Sequence, residues 1–313
     1  MEYPHHGLTG RLDRPRLCRV RVCVIFNPVA RGEKARLFRK HLNEIASQAT
    51  LASTSAPGDA RRLAGQAVRQ GFDTIVAAGG DGTLNEVLNG IVDSCGLDSC
   101  RLGVLPLGTV NVFARELGIP SSLHDAWNTI LHGKVRQVDL PAATSTSDST
   151  TRHFAQLAGA GFDAQAIECV NWRLKKRIGP LAYVVAGLRC MQAHRCDISV
   201  VSDHEQSRGQ LVLIGNGRLY GGSYPVFHDA DLTDGLLDVV VFPRVNWITL
   251  ARCGPSLLLR RELPRHLAHR FKAKQLTLDS SARAPYEVDG ELAGVLPVRF
   301  AIRLRRLSVL AGP

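Results

Sequence analysis

Over the first 140 residues, short apolar runs alternate with segments whose apolar positions recur at helical spacing. Residues 19–26 read as a strand and 34–45 as a helix. A short strand ends near Thr54, and Pro57-Gly58-Asp59 opens a helix over 60–70. Residues 75–78 form a continuous apolar run of the kind buried on both faces of a parallel sheet. Behind it, Leu84, Val87, Leu88 and Ile91 mark one face of a helix beginning near Thr83. Residues 102–105 predict a further strand, with helices over 110–117 and 123–131. This β-α-β-α rhythm predicts a parallel sheet covered on both faces, with ligands at the carboxyl ends of its strands.

The pattern changes after Asp139. Residues 144–151 are a polar Ser/Thr stretch that reads as a hairpin tip or connecting loop. Strand-like runs follow at 154–158, 197–201, 210–214, 236–242, 275–278 and 298–304, interrupted by helical patterns at 164–177, 181–194 and 247–261. Strands dominate, so this half reads as a β-sandwich or an antiparallel sheet with helical insertions. The fold class is α/β: a three-layer α/β domain followed by a β-rich, sandwich-like domain. The expected division is a loose tail over 1–18, an α/β domain over 19–140 and a β-rich domain over 141–313. No internal repeat of fixed period is present.

Composition narrows the class without choosing a function. The 313 residues are 45% hydrophobic and 21% charged, as in ordinary globular proteins. A formal net charge of +11 favours anionic partners, whether nucleic acid, lipid or small substrate. No run reaches the roughly 18 apolar residues that span a bilayer, and residues 1–19 lack the apolar segment of a secretory signal. The eight cysteines include no Cys-x-x-Cys, which favours reduced thiols in the cytoplasm.

The chemistry concentrates in Gly79-Gly80-Asp81-Gly82-Thr83, between a predicted strand and a predicted helix. Glycines let several backbone N–H groups approach one ligand, and the helix start favours phosphate. Asp81 inside such a nest would repel a bare anion, so a metal-bound phosphate or a proton to be moved fits better. Three other segments fall at strand ends of the same sheet: residues 26–32, 54–59 and 105–111. Gly159-x-Gly161-x-x-Ala164 has the form of a dinucleotide fingerprint, but it lies outside the β-α-β-α half. A P-loop is absent.

Gly79-Gly80-Asp81-Gly82-Thr83-Leu84-Asn85-Glu86-Val87, with Asn27-Pro28 before it and Leu105-Pro106-Leu107-Gly108-Thr109-x-Asn111 after it, resembles the diacylglycerol kinase catalytic-domain family. That family includes soluble bacterial lipid kinases and the sphingosine and ceramide kinases. Further matches are Gly159-Ala160-Gly161-Phe162-Asp163-Ala164, residues 231–238 and Val288-Asp289-Gly290-Glu291, so the resemblance runs nearly end to end. It implies an ATP-binding domain of NAD-kinase type, a β-rich domain after it, and an active site between them.

Carried over by position, the resemblance lines the ATP phosphates with Asn27, Pro28, Val29, Ala30, Arg31, Thr54, Gly79, Gly80, Asp81, Gly82, Thr83, Leu84, Asn85 and Thr109. Glu291 matches the general base, and Asp81 would position magnesium or the acceptor. A structural Mg2+ site falls on the loop of Asp231, Asp234 and Leu236, with the carboxylate of Asp234 and the backbone carbonyls of Asp231 and Leu236 as ligands, and oxygen-only ligation suits a hard cation. Two departures stand out. Arg31 occupies a position that is usually glycine, and Asn111-Val112 replaces the Asn-Asp of many members. The implied activity is ATP-dependent phosphorylation of a diacylglycerol-like or sphingoid-like lipid hydroxyl. A NAD-kinase-like enzyme and a catalytically dead lipid- or anion-binding relative are the alternatives.

Expected partners are the lipid substrate and an anionic membrane surface, met peripherally from the cytoplasmic side through basic runs at 172–177 and 260–274. Nucleic acid is not expected, and a homodimer is left open.

Overall fold

The computed structural model describes residues 20–29, 33–169, 196–259 and 263–312. The predicted helix at 181–194, the end of that at 164–177 and the basic run at 172–177 lie outside the described residues. The α/β half runs β1 (Val22–Phe26), α1 (Glu33–Lys40), α2 (Leu42–Ala46), β2 (Thr50–Ser53), α3 (Asp59–Arg69), β3 (Thr74–Gly79), α4 (Asp81–Asp93), β4 (Arg101–Pro106), α5 (Val112–Glu116) and α6 (Leu123–His132). Strands β2, β1, β3 and β4 lie side by side and parallel. Crossing from β2 back over β1 to β3 reverses the winding, which opens a crevice at the carboxyl ends of β1 and β3. There Phe26 pairs with Ala78, so Asn27 and Gly79 start neighbouring turns. Apart from Thr74 at the start of β3, both central strands are apolar because helices cover both faces.

The β-rich half comprises β5 (Lys134–Ser145), β6 (Thr151–His153), β7 (Leu157–Gly161), α7 (Phe162–Glu168), β8 (Ile198–Ser202), β9 (Gln206–Gly209), β10 (Leu211–Gly215), β11 (Leu219–Tyr220), β12 (Tyr224–Pro225), β13 (Leu237–Phe242), α8 (Trp247–Leu258), β14 (His269–Ala273), β15 (Gln275–Ser280), β16 (Pro285–Val288), β17 (Glu291–Val295) and β18 (Val298–Ala311). A six-stranded antiparallel sheet, in the order β14-β13-β10-β7-β16-β17, packs over strands of the larger sheet as a sandwich. Its period-2 alternation sends Val212, Ile214, Val239 and Val241 into the sandwich. Leu213, Val240 and Phe242 face a second apolar layer containing Phe227, Val245 and Cys253. Burial on both faces explains why these strands read as unbroken apolar runs.

The structure changes several predicted elements. β7 begins three residues later than the predicted strand at 154–158, so Gly159 and Gly161 lie within it. Both neighbours of β7 are antiparallel, which removes the βαβ context that a dinucleotide fingerprint needs. β18 extends to Ala311, well past the predicted end at 304. It pairs antiparallel with β5 and reaches β4, joining the α/β strands and the β-rich strands in one ten-stranded sheet. The alternating polar residues of β5 and the Arg-rich middle of β18 gave no apolar run to reveal this seam. The polar stretch at 144–151 is the tip of the β5–β6 hairpin, as its composition suggested.

Asp139, fully buried on β5, fixes this seam. Its carboxylate accepts from Arg305 N at 2.6 Å, at a bulge in β18, and from Gly235 N at 2.7 Å, in the loop before β13. Removing it leaves one buried and one part-buried N–H group without a partner, and a buried one costs roughly 1–3 kcal/mol. Asp139→Ala is expected to lower unfolding free energy by about 3 kcal/mol in urea titrations; a change under about 0.5 kcal/mol would remove Asp139 from this role.

Candidate functional site

Four strand ends surround the crevice. After β1, the side chain of Asn27 accepts from Val29 N at 3.0 Å and closes a tight turn. Pro28 and Val29 follow it, while Ala30 and Arg31 lie outside the described residues. After β2, Thr54 N donates to Phe26 O at 2.9 Å, holding that loop beside the first turn. Glu86, on α4, accepts from Gly58 N and Ala60 N at 2.9 and 3.0 Å and so caps the start of α3. After β3, Gly79 and Gly80 lead into α4, which begins at Asp81 rather than near Thr83. Gly82, Thr83, Leu84 and Asn85 make up its first turns. The four N–H groups at a helix start have no intrahelical partner and point outward.

The loop after β4 packs directly onto the glycines. Leu107 N and Gly108 N both donate to Gly79 O, at 3.0 and 3.2 Å. Asn111, in a left-handed conformation, accepts from Gly108 N and donates to Gly108 O, and Thr109 at the tip is exposed. Val112 N donates to Asp81 Oδ1 at 2.8 Å. The side chain of Val112, where many family members have an acid, is buried. In this chain, therefore, that position contributes a backbone donor to Asp81 and no second carboxylate.

The β16–β17 turn closes the other wall. A Cβ on Gly82 would overlap Glu291 Oε1, so the carboxylate of Glu291 lies directly against the glycine loop. Arg152, on β6, holds it there: Nη2 donates to Glu291 Oε2 at 2.7 Å, Nη1 to Leu292 O at 3.4 Å and Nε to Asn85 Oδ1 at 3.0 Å. Asp289, two residues earlier, is buried. Its carboxylate accepts from Asn85 Nδ2, Ala155 N and Gln156 N at 2.9 Å each, and from Leu157 N at 3.2 Å. Asn89 completes the joint, exchanging hydrogen bonds with both backbone groups of His153. The sequence reading did not single out Arg152, Asn89 or the bracing part played by Asp289. Arg152 and Asn89 stand in no recognisable motif, and their partners come from distant segments.

Asp231, Asp234 and Leu236 share one loop, in which both carboxylates already accept hydrogen bonds. Asp231 Oδ1 accepts from Thr233 N and Oγ1, and Asp234 Oδ1 from Leu236 N. Lys272 Nζ donates to Asp234 Oδ2 at 2.8 Å and to Asp229 O at 2.6 Å, and lies 3.3 Å from Asp238 Oδ2. Among the described residues, no cluster of three or more His, Cys, Asp or Glu side chains could hold a metal ion. Lys272 is thus an ion-pair partner of the carboxylate that the expected structural magnesium would use.

Burial, and after it the charge of Asp289, pushes Asp81 up from 3.8 to about 6, against the opposing N–H groups of residues 111–113. Folded protein therefore holds this proton more tightly than the unfolded chain, and stability falls as pH rises from 3.8 to 6. At about 1.4 kcal/mol per unit the loss is about 3 kcal/mol. Asp81→Asn keeps an acceptor for Val112 N and removes the titration. Its urea stability, measured at pH 4 and pH 7, is expected to vary less than wild type by up to that amount; an equal pH dependence would place Asp81 in an ordinary aqueous environment.

Residues 21–143 match the family described as diacylglycerol kinase catalytic domain. Residues 156–311 match the family described as YegS C-terminal NAD kinase beta sandwich-like domain. The chain is 33% identical to diacylglycerol kinase of Staphylococcus saprophyticus over 295 residues, covering 90% of this chain and 92% of the relative. It is 30% identical to diacylglycerol kinase of Bacillus subtilis over 303 residues, covering 93% and 96%. A crystal structure of a diacylglycerol kinase from Bacillus anthracis superposes with a TM-score of 0.69 at 21% identity, covering 94% of this chain and 97% of that one, which supports the fold. The crevice of glycine turns walled by a carboxylate hairpin thus sits in a chain that belongs to the diacylglycerol kinase family, as a kinase acting on an alcohol acceptor.

Proposed function

We propose that this enzyme transfers the γ-phosphoryl group of ATP to the primary hydroxyl of a lipid, diacylglycerol-like or sphingoid-like, at a membrane surface. The observation that carries the reading is the placement of Glu291 against Gly82. A carboxylate from the β-rich half meets the phosphate-type loop of the α/β half at one point. Phosphoryl transfer asks for positioned phosphates, neutralised charge and a group that orients or deprotonates the acceptor, with little covalent help. The amides of residues 79–85 and the N-terminus of α4 would hold the phosphates. Glu291, held by Arg152, would take the proton from the acceptor hydroxyl.

Magnesium bound with the nucleotide would neutralise the charge that develops on the transferred group. Asp81 is the residue suited to face it. Burial and then the charge of Asp289 raise its pKa, and a bound cation would offset both. No part of the reaction is assigned to the loop of Asp231, Asp234 and Leu236.

A membrane location follows from the acceptor. Among the described residues no helix is long and apolar enough to cross a bilayer, and the net charge of +11 favours anionic lipid headgroups. Within the basic segment at 260–274, Lys272 is committed to Asp234 and Arg270 donates to Val226 O at 2.9 Å. The inward partners of these two cations leave fewer charges on this segment for headgroups than its sequence suggests.

The test uses purified protein, labelled ATP and magnesium, with separate vesicle preparations of diacylglycerol, sphingoid base and phosphatidylglycerol, and with NAD as a soluble acceptor. Label is expected in one lipid class and not in NAD. Glu291→Gln and Asp81→Ala are expected to lower kcat by at least about 100-fold while remaining folded. Label in NAD alone would overturn the lipid reading, and full activity of either variant would remove that residue from the mechanism.

A further inference from the structure

Two carboxyl groups lie inside the wall that carries Glu291, and the proposed reaction does not use them. Asp163 opens α7, and Glu287 sits on β16 opposite Gly159 of β7. A Cβ on Gly159 would collide with Asp163 Oδ2 and crowd Glu287 Oε1, so this glycine is what allows the two side chains to meet. Their outer oxygens have donors: Tyr220 OH donates to Asp163 Oδ1, and Gly290 N to Glu287 Oε2 at 2.6 Å. Asp163 Oδ2 and Glu287 Oε1 are buried, and no N–H or O–H donates to either. Two carboxylates facing each other in a dry interior cannot both stay ionised, so a proton between them is the economical arrangement. Desolvation raises both acids; at Glu287 the charges of Asp163 and Asp289 raise it further, while at Asp163 the hydrogen bonds with Tyr220 and Glu287 oppose the rise.

The consequence lies at Gly290, which directly precedes Glu291. Its amide is held by Glu287, Glu287 by Asp163, and Asp163 by Tyr220 of the β11–β12 hairpin. We propose that Asp163 and Glu287 share one proton and that this bond anchors the Asp289–Glu291 turn, making the pair positioning residues for Glu291; the effect on turnover rests on the function proposed above. Without the proton, repulsion would push Glu287 away from Asp163 and release the Gly290 amide.

Glu287→Gln separates this from a merely packed pair. Its amide N–H can donate to Asp163 Oδ2 where the proton stood, while its carbonyl accepts from Gly290. Infrared spectra near neutral pH should show a protonated-carboxyl C=O band in wild type that is lost in Glu287→Gln. Amide exchange in a peptide containing Gly290 should quicken about tenfold in Glu287→Ala and stay near wild type in Glu287→Gln. With ATP and the accepted lipid, Glu287→Ala should lose at least about tenfold in kcat at unchanged KM for ATP, and Glu287→Gln should stay within about threefold of wild type. Absence of the band, unchanged exchange in Glu287→Ala, or equal losses for the Gln and Ala variants would each overturn the proposal. Asp163→Ala replaces Glu287→Ala if the latter does not fold. The infrared and exchange readouts need no kinase turnover, so an inactive wild type would count against the function while leaving the pair decidable.

Discussion

The carboxylate of Asp289 sits among four N–H donors, one from Asn85 on α4 and three from the backbone of residues 155–157. Charge-assisted bonds of this kind are the stronger members of their class, and an unmade one leaves a buried donor at full desolvation cost. This joint sets the distance between the helix that begins at the glycine loop and the hairpin that ends in Glu291. Asn85 stands at its centre, giving its amide N–H to Asp289 and accepting from Arg152 through its carbonyl. Arg152 in turn grips Glu291. A side chain in the first turns of α4 therefore determines where the acid across the crevice can stand.

Such a joint suits the chemistry. Phosphoryl transfer depends on placing groups within a few tenths of an ångström, more than on forming bonds to the protein. Precision of that order comes from rigid elements with satisfied polar contacts. Here they are a long helix, a short hairpin and the strand between them, each fixed by hydrogen bonds through its neighbours. The Asp163–Glu287 contact lies behind the same hairpin and ties it to α7. That helix leads out of the described part of the structure.

Electrostatically the site is unbalanced. Asp81, Asp289 and Glu291 crowd one region in which Arg152 is the cation paired with Glu291. Backbone amides offset part of the charge, at the start of α4 and at residues 111–113. The remaining excess costs stability as Asp81 ionises, and sites that handle phosphate and metal often carry such a cost. The loop of Asp231 and Asp234 has a cation of its own. Lys272 meets part of its excess charge, while burial and the charges of Asp234 and Asp229 still raise Asp238 to about 6.

What the residue order determined by itself was local. Apolar runs at 75–78 and 102–105, backed by helical spacing, yield β3, β4 and their helices because burial on both faces leaves only one pattern. The glycines of residues 79–82 mark the phosphate-type turn because no other residue allows so close a backbone approach. Val288-Asp289-Gly290-Glu291 is legible as a hairpin turn bearing an acid. Only the tertiary structure decided the rest. The β5–β18 seam alternates polar and apolar residues and binds segments more than 150 positions apart, so no local window holds its signal. Arg152, Asn89 and Asp289 act through partners supplied by distant strands, and Asp234 finds its ion-pair partner in a lysine 38 residues further on. Propensity and periodicity act within a few residues, whereas a buried charge is assigned its partner by whatever the completed fold brings within 3 Å of it.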